Sequence, residues 1–127
     1  MRAPDGRPIY LDLIHIKLPV TGVLSIMHRI FGVLLSLSIP GFVYVFGLSL
    51  HGRDGFARAA ELLGQGWLIP VYVLLLWAFV HHLLAGLRYL LMDIEVGVAK
   101  APATRSAQII IPLAGVLSLL IALGVWA

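Results

Sequence analysis

The sequence predicts an all-α integral membrane protein, a single transmembrane domain over residues 1–127 that crosses the bilayer three times, and three observations carry that prediction. Hydrophobic residues make up 61% of the chain and charged ones 12%, with a mean hydropathy of +1.01, a balance too apolar for an ordinary soluble domain. Three runs contain no Asp, Glu, Lys or Arg: Ile30 to Leu50 (21 residues), Leu62 to Leu87 (26) and Ser106 to Ala127 (22). Each is long enough, because about 20 helical residues cross a hydrocarbon core roughly 30 Å thick. The runs are also continuous, without the alternating polarity that a membrane β-barrel requires, which leaves helices. A chain this short could not bury three such helices by itself in water.

The elements follow in order. Residues 1–8 are polar, hold Pro4, Gly6 and Pro8, and read as an irregular arm. Ile9 to Leu18, bounded by Pro8 and Pro19, mixes apolar residues with Asp12, His15 and Lys17. It is too short to span and reads as an extended or interfacial segment against headgroups or a partner protein. Residues 1–22 offer no apolar stretch of the signal-peptide kind, so the first span is expected to remain. Thr21 is expected to cap a first span over approximately 22–50, with Pro40-Gly41 as a site for a kink. A polar connection over 51–61 follows. The second span is expected over approximately 64–93, with Pro70 tolerated in its first turns. A loop with Gly97, Pro102 and Thr104 then leads to a third span over approximately 106–127, whose polar groups are Ser106, Gln108 and Ser118. No internal repeat or second domain is visible.

Charge sets the expected orientation. Arg2, Arg7, Lys17 and Arg29 precede or open the first span, and Arg88, Lys100 and Arg105 surround the second connection, whereas the first connection holds only Arg53 and Arg58. Seven against two puts the N-terminus and the second connection on the cytoplasmic side. The chain has no cysteine, so it can neither form disulfides nor hold an iron–sulfur cluster through thiolates.

Ionisable groups at membrane depth are costly, and function is sought among them. His82 lies about 9 Å deeper than Arg88 along the second span, at 1.5 Å per residue. Ala78, His82, Ala85, Gly86, Tyr89 and Asp93 follow the three-and-four spacing of one helical face. Small residues beside a histidine leave room for something flat and bulky, such as a haem whose iron takes a neutral imidazole. The same small residues equally serve close helix approach, with His82 bonding a neighbouring helix, and the residues alone leave both readings open. His81 is offset by about 100° from His82, so the two cannot clamp one iron from opposite sides. Ser25, Arg29, Gly32 and Ser36 share helical spacing on the first span, with His28 adjoining. Arg29 can snorkel to headgroups, or it can pair with carboxylates or donate to a quinone carbonyl together with Ser25.

Three stretches carry a resemblance: Arg7-Pro8 with Leu11-Asp12-Leu13; Ser25-Ile26-Met27-His28-Arg29-Ile30-Phe31-Gly32; and His82-Leu83-Leu84-Ala85-Gly86-Leu87-Arg88-Tyr89-Leu90-Leu91-Met92-Asp93. In order and over almost the whole chain they resemble the cytochrome b membrane-anchor subunit of succinate dehydrogenase, the larger anchor of complex II. The resemblance implies a three-helix subunit packed with a second three-helix anchor around a shared haem b. It also implies iron–sulfur and flavoprotein subunits on the cytoplasmic face, and electrons passed from succinate to a quinone. Carried onto this sequence, it implies His82 as haem axial ligand, hence the metal-binding residue, and His28 and Arg29 near the haem propionates. It further implies Ser25 and Arg29 at the quinone site and Asp93 in proton delivery. The family departs from this chain at Tyr89, where many relatives have histidine, and at Phe31, where many have Ser or Thr. The expected location is the bacterial cytoplasmic membrane in preference to the mitochondrial inner membrane, with the lipid bilayer and no nucleic acid as surroundings, and the chain alone is expected to be inactive. A fumarate reductase anchor, or a haem-free helical anchor or transporter, are the alternatives; transport would call for an internal inverted repeat, which the sequence lacks.

Overall fold

The computed structural model describes residues 17–126, so the arm over 1–8 and most of the Ile9–Leu18 segment lie outside the described residues. Four α-helices follow one another: α1 (Val20–Ser49), α2 (Gly52–Leu63), α3 (Ile69–Asp93) and α4 (Lys100–Trp126), with a short 3-10 turn at Gly66–Leu68 leading into α3. Among the described residues, α1, Gly66–Asp93 and α4 are the helices long and apolar enough to cross a membrane. They form an all-α bundle in which the start of α1, the end of α3 and the start of α4 share one end.

Pro19 takes the cap position that Thr21 is expected to fill. Its extended backbone (φ −65°, ψ 153°) presents a carbonyl that accepts from the Gly22 and Val23 amides at 2.8 and 3.1 Å. Pro40 lies inside α1, and Pro70 sits in the first turn of α3, where its missing N–H costs nothing. The α3 helix stops in a Schellman arrangement: the Val96 amide donates to the Leu91 carbonyl at 2.9 Å and the Glu95 amide to that of Met92 at 3.0 Å. Glu95 supplies the left-handed residue (φ 65°) this requires, followed by Gly97 at φ 75°.

Two regions differ from the sequence expectation. The connection over 51–61 is mostly the amphipathic helix α2, because Gly55 and Ala59 form a small-residue face that packs on the end of α1 while Arg53, Asp54, Arg58 and Glu61 stay exposed. A side chain at Gly55 would run into the Leu48 carbonyl. Gly52 turns the chain at φ 76°, and the Tyr72 hydroxyl donates to the Leu63 carbonyl at 2.7 Å, tying α3 to the end of α2. The helix that carries the third span, α4, starts at Lys100, about a turn and a half before residue 106, because Pro102 falls in its first turn, where proline is tolerated.

The interior is thin. Leu24, Ala85 and Ala107 meet at its centre, flanked by Val20, Tyr89, Ile110 and Ile111. Ala103, Ala107, Ala114, Ser118 and Ala122 are the buried positions of α4, and such small residues let helices approach closely in a membrane.

Candidate functional site

The histidines gather where α1 and α3 cross. His28 and His82 lie face to face, their ring centroids 3.9 Å apart and their planes within 5° of parallel. The His82 Nδ1–H donates to the backbone carbonyl of His28 at 3.0 Å. A carbonyl only accepts, so this bond fixes the proton on Nδ1 and leaves the Nε2 lone pair free. Gly32, one turn beyond His28, provides the space: a Cβ there would stand 2.9 Å from His82 Cε1. His82 and Gly32 line a groove of about 420 Å³ together with Leu35, Ser36, Ile39 and Phe79.

Behind the stack, the edge of Tyr89 meets His28 at 5.2 Å and 70°. His28 Nε2 and the Tyr89 hydroxyl are both buried without a hydrogen-bond partner among the described residues. Arg88 is buried as well. Its Nε donates to Ser106 Oγ at 2.8 Å and its Nη2 to the Ala103 carbonyl at 3.0 Å, and its guanidinium carbon lies 5.2 Å from the Tyr89 ring centre. The arrangement is thus continuous from α4 through Arg88, Tyr89 and His28 to His82.

His82 and His28, two of the residues singled out in the sequence, are therefore brought together. Ser25 is half-buried and Arg29 exposed. Arg29 lines a separate shallow hollow with Ile30, Val33 and Leu34, on a different part of α1 from the His82 groove. Asp93 is the exposed last residue of α3. The small-residue face divides: Ala78 and Ala85 are fully buried in helix packing, and the free space beside His82 comes from Gly32 of α1 instead. His81 is fully buried, edge-on to Phe31 at 4.9 Å, with both ring nitrogens unpartnered among the described residues. Arg88 was legible only as a charge near a helix end. The signal that it is internal is Ser106, a hydroxyl in an otherwise apolar run.

A carbonyl-oriented imidazole with a free nitrogen beside an open groove is the donor arrangement of a metal or haem ligand, since ligating histidines generally donate their other N–H to a fixed acceptor. Among the described residues no three histidine or carboxylate groups converge as a protein-only metal site. These features define a polytopic helical membrane protein with a carbonyl-held histidine beside an open groove. The chain belongs to the succinate dehydrogenase/fumarate reductase transmembrane subunit family, whose description matches residues 3–122, and is a membrane-anchor subunit of that family. The succinate dehydrogenase cytochrome b556 subunit of Paracoccus denitrificans is 32% identical over 118 residues, covering 91% of this chain and 88% of its own. The cytochrome b556 subunit of Coxiella burnetii is 36% identical over 89 residues (69% and 71%). The cytochrome b560 subunit of Reclinomonas americana is 39% identical over 93 residues (69% and 65%).

Proposed function

We propose that this chain is the cytochrome b anchor of a succinate:quinone oxidoreductase of the bacterial cytoplasmic membrane, with its N-terminus cytoplasmic. In this reading it works with a second anchor, an iron–sulfur subunit and a flavoprotein. The observation that carries the reading is the His82 ring, which lines a groove and is held by the His28 carbonyl in the tautomer that leaves Nε2 without a proton. The names of the cytochrome b relatives imply a haem in those proteins; in this chain His82 would hold the iron of haem b, and a partner anchor would share it. When bound, the haem supplies one-electron storage at a potential tuned by its ligands and their hydrogen bonds. His28 and Arg29 are the groups for its propionates.

Ser25 and Arg29, one turn apart on α1, are the donors for a quinone carbonyl: a hydroxyl and a charged guanidinium strengthen as hydrogen bonds when negative charge grows on that oxygen. Reduction takes two electrons, delivered by the iron–sulfur partner, and two protons. Asp93, exposed at the end of α3, is the group that passes protons inward. The reverse reaction, quinol oxidation coupled to fumarate reduction, uses the same residues, and the potential of the pool quinone sets the direction.

The test uses the purified complex. His82→Leu should abolish its low-spin b-type absorption, and Ser25→Ala and Arg29→Ala should impair quinone reduction while sparing succinate oxidation by an artificial acceptor. A wild-type complex without a b-type band would sink the reading.

A further inference from the structure

We propose that His28 is a positioning residue whose ring face fixes the rotation of the His82 imidazole about its ligand axis. The inference rests on the reading of His82 as a haem ligand. A histidine ring bound through one nitrogen and tethered through Cβ can still swing about that bond as χ1 and χ2 adjust, and a single hydrogen bond from Nδ1 is a pivot, not a clamp.

Here the ring is gripped on two sides from one helix. The His28 ring covers one face at 3.9 Å and 5°. Gly32 comes close to Cε1 and Nδ1, where even a methyl would stand 2.9 and 3.3 Å away. The His28 carbonyl holds Nδ1 between them. His28 is itself wedged: Tyr89 meets it edge-on, and Gly86 of α3 passes close enough that an added Cβ would touch Nε2 at 3.5 Å. Dense packing around a ligand ring is how a protein imposes an orientation that coordination alone leaves open. The role therefore belongs to the face of the His28 ring rather than to its nitrogens, which separates it from donation to a propionate.

That separation gives the test. The angle between the two axial ligand planes governs the g-anisotropy of a low-spin ferric haem, so the largest g value in the paramagnetic resonance spectrum reports the His82 ring's rotation. In the assembled complex, His28→Leu removes the flat ring and should shift and broaden that feature. His28→Phe keeps a flat ring without nitrogens and should restore it to the wild-type position. Gly32→Ala pushes on the Cε1 edge of the same ring and should shift the feature with His28 intact. A His28→Leu complex with the wild-type g value overturns the proposal, and so does a His28→Phe complex shifted as far as His28→Leu. Should His28→Leu lose its haem, His28→Met, which keeps bulk without a flat ring, takes its place, and a wild-type g value there overturns the proposal. A His82→Leu complex that keeps the wild-type low-spin spectrum overturns the assignment of the ligand, and with it this inference, whereas the His28 outcomes leave that assignment standing.

Discussion

The two ends of the α1–α3 seam are built differently. Toward the start of α1 the helices are closed: Leu24, Phe31, Ala78, Val80, His81, Ala85 and Arg88 are buried, and the imidazole stack lies among them. Toward Ser49 the same two helices part, leaving hollows around Phe42 bounded by Leu35, Ser38, Tyr72, Leu75 and Phe79. Apolar surface gains little by leaving lipid for protein, so membrane helices close where packing of small residues and hydrogen bonds hold them. The closed end has both. The open end is left to whatever apolar matter surrounds it.

Four substitutions test this contrast. Arg88→Leu should have the largest effect, about 3 kcal/mol, since it removes two charged hydrogen bonds to α4 and leaves the Ser106 hydroxyl only its own donation to the Ala103 carbonyl. It should appear as a sharp drop in the thermal inactivation temperature of the complex, with Arg88→Lys between it and wild type. Gly32→Ala should cost about 2 kcal/mol by overpacking against His82, measured in the same way. Phe42→Ala should cost about 1 kcal/mol or less, because the side chain is already 57% exposed; a larger loss in the assembled complex would show that a partner helix fills the open end. Gly47→Ala should be smallest, within about 0.5 kcal/mol, since nothing lies within 4 Å of the added methyl. Equal effects at Gly32 and Gly47 would erase the distinction between the two ends.

The spans were legible because a long uncharged run has one structural solution in lipid. Helix α2 was not, since its packing face consists of Gly55 and Ala59, which carry almost no hydrophobic signal. The start of α4 was hidden by Lys100, Pro102 and Thr104, residues typical of loops but acceptable in a helix's first turns. His82 stood out by its depth and neighbours. Its pairing with His28 could not be read, because they are 54 positions apart and their stacking depends on the register of α1 against α3. Of the two readings open for the small residues beside it, space for a flat group or close helix approach, Ala78 and Ala85 serve the second, while the glycine nearest the ring stands on the other helix.

Helix α4 carries no group assigned to chemistry, yet its first two turns hold the far end of Arg88 through Ser106 and the Ala103 carbonyl. Substitution at Ser106, or a bulkier side chain at the buried Ala103, would consequently disturb the histidine stack from a helix that never touches it. Ranking such variants by thermal stability rather than by distance from the histidines would show that they loosen the wall on which Tyr89 and His28 lean.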